Sequence, residues 1–256
     1  MKKVNVLVPM AGKTMFFDKH EYPYPKSLIE INKKTMIEHV IHNLSAVNNI
    51  NQFIFVVNDE DCRKYHLDNI LSLLTNDHCQ VIKVSNETKG AACSALLSIK
   101  HINNDDELII ANGDQIFRDD LNKILETHRA NSLDAAVIIF NSVHPRWSYV
   151  RLDENGLVIE TAEKRPFSKQ AIAGFFYFKQ GNFFVEAAMN MIKKDANVNG
   201  AFFIAPSLNE MVLSKKRIGV YTIDNEKYHS FHSPQRVNEY EKNYTNYMNS
   251  AGYMEK

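Results

Sequence analysis

The stretch that decides the fold is Val4-Asn5-Val6-Leu7-Val8, which runs directly into Pro9-Met10-Ala11-Gly12-Lys13-Thr14. The first five residues form a β-rich apolar run, and one glycine follows in a short loop. Such a loop at the end of a buried strand exposes backbone N–H groups to an anionic ligand. The pattern predicts a triphosphate-binding turn, while a lone glycine there is also compatible with an ordinary tight turn.

The composition excludes several classes of function. The 256 residues are 45% apolar, which is enough for the core of one large α/β domain, and 30 basic residues balance 30 acidic ones. A formal charge of zero predicts neither a nucleic-acid partner nor attraction to an anionic membrane. The start Met1-Lys2-Lys3 leads into a strand rather than a signal-peptide apolar region, so we expect a cytoplasmic location. Cys62, Cys79 and Cys93 form no Cys-x-x-Cys pair and predict reduced structural thiols.

Apolar runs alternate with amphipathic segments along the chain, and this alternation predicts an α/β fold with a mostly parallel central sheet and helices on both faces. Predicted strands after the first lie at 52–57, 81–84, 107–112, 135–140, 149–152, 157–160, 171–178 and 217–223. Predicted helices lie at 35–47, 59–74, 91–99, 119–130, 182–193, 205–213 and 234–248. No linker is evident, so we expect one domain over residues 1–256, with a small β-rich insertion at about 141–178.

Polar residues after two of these strands are candidates for ligand binding. Asn112-Gly113-Asp114 ends the clearest central strand, and a carboxylate there suits Mg²⁺ together with phosphate oxygens. A turn-capping role for Asp114 is the competing interpretation. Pro25 fixes the backbone before Lys26, which favours a rigidly presented ammonium for phosphate, although a solvated surface lysine has the same pattern. Glu87-Thr88-Lys89-Gly90-Ala91 offers a hydroxyl and a bare backbone for a base, or alternatively a helix cap.

Taken together, these segments resemble the sugar-phosphate nucleotidylyltransferase family, including its cytidylyltransferase members. The resemblance extends over nearly the whole chain. It rests on the glycine loop with Pro25-Lys26, Glu-x-Thr-x-Gly-Ala-Ala from Glu87, Asn112-Gly113-Asp114, Glu163-Lys164-Arg165-Pro166, Ala173-Gly174-Phe175-Phe176-Tyr177-Phe178, and Asn199-Gly200.

The resemblance implies a Rossmann-like nucleotidyltransferase (GT-A-like) fold. It implies an enzyme that transfers the NMP part of an NTP to a phosphorylated small-molecule acceptor and releases pyrophosphate. A homo-oligomer is compatible with the resemblance. The resemblance also implies roles for single residues. Triphosphate binding is implied for Met10, Ala11 and Gly12, and binding of the rest of the nucleotide for Thr88, Gly90, Ala91, Asn112 and Gly113. Catalysis is implied for Lys26, Lys13 and Asp114, with Asp114 as the Mg²⁺ ligand, and acceptor binding for Glu163, Lys164, Gly174 and Asn199.

The chain departs from the family pattern in two places. Relatives usually carry Gly-x-Gly-x-x-Arg in the first loop, whereas Thr14 and Phe16 stand at the second glycine and the arginine here. Lys13 and Lys19 are candidates to restore the charge, without the bidentate fork of arginine. Many relatives place a second metal-binding aspartate where this chain has Ser230.

Three functions are therefore compatible with the sequence. The first is an active nucleotidylyltransferase, most similar to cytidylyltransferase-type enzymes of bacterial surface-polysaccharide pathways. The second is a glycosyltransferase, for which Gly113-Asp114-Gln115 supplies only one aspartate of the usual Asp-x-Asp. The third is a non-catalytic nucleotide-binding homologue. His229 and His232 lack a nearby cysteine or carboxylate, so we interpret them as polar lining or surface residues rather than zinc ligands.

Overall fold

The computed structural model describes residues 2–12, 16–18 and 20–250. The described strands are β1 (Val4–Pro9), β2 (Glu30–Ile31), β3 (Lys34–Thr35), β4 (Ile50–Asn58), β5 (Cys79–Val84), β6 (Glu107–Ala111), β7 (Gln115–Phe117), β8 (Ala135–Asn141), β9 (Ser148–Leu152), β10 (Val158–Glu163), β11 (Gln170–Phe178), β12 (Ile218–Thr222) and β13 (Tyr228–Ser230). The described helices are α1 (Met36–Leu44), α2 (Asp59–Tyr65), α3 (Leu67–Leu74), α4 (Ala91–Leu96), α5 (Ile99–Ile102), α6 (Leu121–Ala130), α7 (Gly181–Lys193), α8 (Ile204–Leu213) and α9 (Pro234–Ser250).

The main sheet has the order β10-β9-β11-β6-β1-β4-β5, with β8 and β12 attached through β11. Strands β5, β4, β1 and β6 are parallel neighbours, whereas β11 runs antiparallel to β6 and β8. The predicted strand 171–178 is thus a central member of the sheet, and the hairpin β9–β10 joins the sheet through it. Because β1, β4, β5 and β6 are parallel, the loops that follow them meet at one carboxyl edge.

Side chains that alternate along β1 enter two separate cores. Val4, Val6 and Val8 face a layer formed by α1, α2, α3, α6 and α9, whereas Leu7 faces a layer formed by α4, α5, α7 and α8. Since both faces are covered, the strand is buried from Val4 to Val8 rather than on alternate residues, and Asn5 is its one polar residue. The predicted α/β architecture, with a mostly parallel sheet between helical layers, is confirmed.

Local capping chemistry explains where two of the helices, α1 and α6, begin. The Thr35 side chain accepts a hydrogen bond from the backbone N–H of Glu38 at the start of α1 (3.4 Å). Asp120 does the same for Asn122 and Lys123 at the start of α6 (2.9 and 3.1 Å). Side-chain oxygens at these positions satisfy N–H groups that have no partner within the helix.

Some predicted elements were wrong in detail. The predicted helix 59–74 is two helices, because His66 adopts a left-handed conformation with φ 53° between α2 and α3. The helix predicted at 91–99 ends at Leu96, and α5 follows separately. The strand predicted at 217–223 is not the last, since β13 follows it and pairs with β7. None of the helices in the described ranges is long and apolar enough to cross a membrane.

Candidate active site

Lys26 and Asp114 form an ion pair at the carboxyl edge of the sheet. Lys26 begins a single 3₁₀ turn, Lys26–Leu28, and Pro25 before it is extended (φ −54°, ψ 145°). The Lys26 Nζ also lies 5.7 Å from the centroid of the Phe17 ring. The two side chains are 22% and 23% exposed, so a phosphate group can reach both the ammonium and the carboxylate.

The loop after β1 packs against the loop after β6. Met10 lies so close to Gly113 that a Cβ on the glycine would be 2.7 Å from the Met10 Sδ. The backbone N–H of Met10 donates to Val56 O of the neighbouring strand (2.7 Å). Gly12 is exposed and a Cβ there would meet nothing within 4 Å, so its backbone is open to solvent. The predicted loop residues Met10, Ala11 and Gly12 therefore adjoin the Asn112-Gly113-Asp114 turn.

Gly174 connects the predicted nucleotide side of the site to the predicted acceptor side. It has φ 64°, and its carbonyl accepts from the Asn112 backbone N–H (3.1 Å) and from Gln115 Nε2 (2.8 Å). A Cβ at this position would stand 2.7 Å from Gln115 Oε1. Glycine is needed here because the positive φ and the close neighbours both disfavour a side chain.

The short sheet of β7 and β13 brings a C-terminal segment to Asp114. Ser230 is paired with Gln115, and the Phe231 backbone N–H donates to Asp114 O (2.7 Å). The buried Tyr228 hydroxyl donates to Gln115 Oε1 (3.1 Å). Burial, assisted by the charge of Asp114, raises the pKa of Tyr228, so the phenol stays protonated. The departure at Ser230 therefore falls beside the predicted metal ligand.

Glu163 and Lys164 lie at the end of β10. The Ser148 hydroxyl donates to Glu163 Oε2, and burial raises the pKa of this carboxyl, against the effect of that bond. Lys164 has φ 55°, its backbone N–H donates to Trp147 O (3.0 Å), and its Nζ lies 4.8 Å from the Phe203 ring centroid. The bonds to Ser148 and Trp147 fix both predicted acceptor residues to β9 and to the segment before it.

The segment with Thr88, Gly90 and Ala91 leads into α4, which packs against β1. The Thr88 hydroxyl contacts Ser94 Oγ (2.6 Å) and donates to Gly90 O (3.2 Å). Gly90 has φ 106°, and a Cβ there would lie 2.7 Å from the Phe202 backbone nitrogen. Phe202 exchanges backbone hydrogen bonds with Lys89 and Ala92 (2.7 and 3.0 Å). The glycine is thus required for this close approach of two chains.

Other predicted site residues are not placed against this group. Asn199 is exposed in a turn, with φ 52°, where the Gly200 N–H donates to Asn197 Oδ1 (2.9 Å). Lys13 and Thr14, and the alternative cation Lys19, lie outside the described residues. An open recess of about 750 Å³, lined by Asn141, Ser142, Val143, His144, Pro145, Lys169 and Asn225, contains none of the predicted site residues.

Asp114 is the residue that fits a magnesium ion. Within the described ranges no group of three or more His, Cys, Asp or Glu could enclose a metal. Mg²⁺ does not need such a cage, because it commonly binds through one or two carboxylates plus substrate phosphates and water. The bond to Lys26 uses Oδ2 of Asp114, which leaves the second oxygen of a partly exposed carboxylate. The donor set therefore suits a magnesium ion that shares its coordination with a nucleotide.

Sequence reasoning missed several residues at this edge. Phe17, Gln115, Arg146 and Trp147 each contact a predicted site residue or His232, and Tyr228 bonds to Gln115. They lie in loops or in three-residue strands, where hydrophobic periodicity gives no signal. The β13 residue Ser230 was singled out from the family pattern, and only the pairing of β7 with β13 explains its position.

The mostly parallel sheet, with Lys26 and Asp114 in contact at its carboxyl edge, is the arrangement of α/β proteins that bind ligands at that edge. A family model described as Nucleotidyl transferase matches residues 22–224, and the chain belongs to that family. The chain is thus a nucleotidyltransferase, and the predicted nucleotidyltransferase fold is confirmed.

Solved structures of the same fold are distant in sequence. A Vibrio cholerae nucleoside-diphosphate-sugar pyrophosphorylase is 20% identical, with a TM-score of 0.81 over 93% of this chain and 99% of that chain. A UDP-glucose pyrophosphorylase complexed with UDP-glucose is 18% identical, with a TM-score of 0.76 over 96% and 99%. A Bacillus anthracis protein assigned as a glucose-1-phosphate thymidylyltransferase, in complex with sucrose, is 18% identical, with a TM-score of 0.73 over 93% and 95%. No curated protein sequence matches the chain significantly.

Proposed function

We propose that the protein transfers a nucleoside monophosphate, with CMP favoured, from an NTP to a phosphorylated sugar or similar small acceptor and releases pyrophosphate. The observation that carries this proposal is the partly exposed Lys26–Asp114 pair, at the edge where the loops after β1 and β6 meet. Phosphoryl transfer needs positive charge beside the reacting phosphates, and a lysine next to a carboxylate that can hold magnesium supplies it.

The chemistry requires positioning and charge neutralisation rather than a general base. The second pKa of a phosphate monoester is about 6, so the acceptor is mostly a dianion at neutral pH. One of its oxygens attacks the α-phosphorus of the NTP in line, the new P–O bond forms, and the bond to the bridging oxygen breaks to release pyrophosphate. Lys26 offsets the charge on the phosphates, and Lys13 is a second candidate. A magnesium ion held by Asp114 would supply further charge neutralisation.

The remaining predicted residues fit binding roles on the two sides of this centre. Backbone groups at Met10, Ala11 and Gly12 would face the triphosphate, and Asn112 and Gly113 would adjoin it. Thr88, Gly90 and Ala91 would line the base, with bare backbone supplied by the glycine. Glu163, Lys164 and Gly174 would face the acceptor, and Asn199 would have to reach it from its exposed turn.

The cytidine preference and the pathway rest on the sequence pattern. Met10-Ala11-Gly12 and the pattern from Glu163 to Phe178 are most similar to cytidylyltransferase-type enzymes of bacterial surface-polysaccharide synthesis, among them phosphoglutamine cytidylyltransferase of capsule synthesis. The names of the related structures mention thymidylyl transfer and UDP-glucose, so one fold accommodates different bases. A cytoplasmic location and a homo-oligomer stay predictions, to be measured by cell fractionation and sedimentation.

One assay tests the proposed reaction. The protein is incubated with Mg²⁺, each NTP in turn and a panel of acceptors that includes glucose 1-phosphate and phosphoglutamine, and pyrophosphate is measured. Release with CTP and one acceptor is the expected result, and Asp114→Asn should abolish most of it. Release with another NTP alone would contradict the cytidine preference. Sugar transfer from a nucleotide sugar without pyrophosphate would instead indicate a glycosyltransferase.

A non-catalytic, nucleotide-binding homologue is the second candidate. It is favoured by Ser230, whose hydroxyl is a weak magnesium ligand in the strand beside Asp114. Nucleotide binding without turnover, for every NTP and acceptor in the same assay, would support this candidate over the first.

A further inference from the structure

Arg146 contacts aromatic rings and a histidine, and no described carboxylate forms an ion pair with it. It lies between β8 and β9, is partly buried, and makes no ion pair with an acidic side chain in the part of the chain that the structure describes. Its guanidinium instead lies 5.0 Å from the Trp147 ring centroid and 5.9 Å from that of Phe16. Aromatic faces hold a guanidinium in place without neutralising it.

His232 fixes the direction of this guanidinium. Arg146 Nη1 donates to His232 Nε2, so this nitrogen carries no proton, and Nδ1 is then the protonated one, placed 3.1 Å from Ser230 Oγ. Burial and the charge of Arg146, opposed by that of Asp114, together lower the pKa of His232 to about 4. The imidazole is therefore neutral at pH 7, and it orients the arginine as an acceptor while leaving the positive charge uncompensated.

The arginine is close to the candidate active site. Ser230 lies beside Gln115, and the Phe231 N–H bonds to Asp114 O, so His232 follows directly on residues that contact the site. The charges of Asp114 and Lys26 both act on His232, and that of Asp114 acts on Arg146. Phe16, over which the guanidinium lies, belongs to the predicted phosphate loop. An oriented and unpaired guanidinium in this place is suited to an anion with several oxygens.

We propose that Arg146 binds phosphate oxygens of a substrate at this site, and that His232 is the positioning residue that aims its guanidinium. The inference rests on the proposed function for the identity of the substrate, since the phosphate can belong to the nucleotide or to the acceptor. In this arrangement the Phe16 ring supports the guanidinium of Arg146, which comes from a distant segment of the chain.

The test measures binding by titration calorimetry with two simple probes on the full chain. Tripolyphosphate represents the nucleotide, and inorganic phosphate represents the acceptor. Arg146→Gln keeps a donor for His232 but removes the charge. It should lower the affinity for one probe by roughly tenfold to hundredfold, the range expected for charge-assisted hydrogen bonds. Loss confined to tripolyphosphate assigns the arginine to the nucleotide, and loss confined to phosphate assigns it to the acceptor. Wild-type affinity for both probes would overturn the proposal.

Arg63→Ala is the matched control, because it removes an arginine that is 71% exposed and paired with Asp59. If Arg63→Ala lowered the affinity for the probes as much as Arg146→Gln, the loss would come from the change in net charge, and the proposal would be wrong. Thermal unfolding of each variant identifies any loss of fold. Arg146→Lys supplies a charge without the fork, and it should recover only part of the affinity.

The role of His232 has its own variants. His232→Gln retains a side-chain acceptor and should keep the affinity within about threefold, whereas His232→Phe should lose roughly tenfold. Wild-type affinity in His232→Phe would refute the positioning role. Failure of the proposed reaction would be seen separately, as absent pyrophosphate release in wild type, while the probe affinities would still report on Arg146.

Discussion

The two ends of β6 carry two sites built from the same kinds of residue. Glu107 is the first residue of the strand, and Asp114 follows its carboxyl end. Glu107 pairs with Arg129 and accepts from the Tyr177 hydroxyl (2.8 Å), beside His128, whereas Asp114 pairs with Lys26, near Tyr228 and His232.

The difference lies in how completely each carboxylate is satisfied. Glu107 is 3% exposed, and Arg129 Nε reaches both of its oxygens (2.9 and 3.2 Å). Among the described residues, the side-chain carboxylate of Asp114 bonds only to Lys26, and it remains partly exposed. Buried charges must be fully paired, while a site that binds a ligand must keep bonding capacity available. The amino end of β6 is therefore a stabilising cluster, and the carboxyl end is suited to chemistry.

The largest expected effect comes from Glu107→Ala. Removing the buried Glu107 carboxylate leaves the Tyr177 hydroxyl and Arg129, which is 31% exposed, without their partner, and this should lower the free energy of unfolding by about 3–5 kcal/mol. Urea denaturation measures the loss, and Glu60→Ala, in an exposed pair with Lys64, is the matched control. The variant should keep its kcat/KM per folded molecule. A loss no greater than in Glu60→Ala would show that the cluster is not a stabilising one.

Lys26→Ala should have the opposite effect to Glu107→Ala, with a large loss of activity and little loss of stability. Loss of a cation that acts on developing phosphate charge should reduce kcat/KM by roughly 10²–10³-fold, measured as pyrophosphate release. The free energy of unfolding should change by less than about 1 kcal/mol, because the pair is partly solvated. Lys64→Ala removes an exposed lysine and should leave activity unchanged. Wild-type pyrophosphate release in Lys26→Ala would show that the assigned role is wrong.

A third expected effect is a dependence of stability on pH. Burial lowers the pKa of His128 from 6.5 to about 4, and the side chain is 1% exposed. Between these values the unfolded chain binds the proton and the folded chain does not, so stability is present above pH 6.5 and falls as the pH drops towards 4. The full shift corresponds to roughly 3 kcal/mol.

His128→Phe tests that origin, because a phenyl ring can keep the stacking on Tyr177. Urea denaturation of the variant at pH 6.5 and pH 4 should show a smaller decrease than in wild type. An equal decrease in both proteins would assign the acid sensitivity to other groups.

Sequence reasoning was strongest where a pattern is local and periodic. The run at Val4 to Val8 and the apolar face of α1 predicted their elements within a few residues. A left-handed residue such as His66 cannot be read from periodicity, because the apolar pattern continues through it. The three-residue strands β7 and β13 are too short for any period.

For the candidate site as well, single residues could be predicted from local patterns, whereas contacts between distant segments could not. Lys26 and Asp114 were both predicted as phosphate and metal residues, but their direct contact depends on a strand order that no local pattern specifies. The stacking of Arg146 on Phe16 joins segments far apart in the chain, and a single sequence holds no signal for such a pair. The roles of Thr88, Glu163 and Asn199 stay predictions.

The left-handed Gly174 lies within β11, and its position has a consequence for how this molecule could diversify. On one side of it, β11 pairs with β6 through Phe175–Phe178, and on the other it meets β9 near Ala171. The register shift between Ile172 and Phe176 separates these two pairings within one strand. The hairpin β9–β10 can therefore be exchanged or lengthened without changing the pairing of β6 with β1. One half of the strand, on the predicted acceptor side, is then free to vary while the other half keeps the predicted nucleotide side constant.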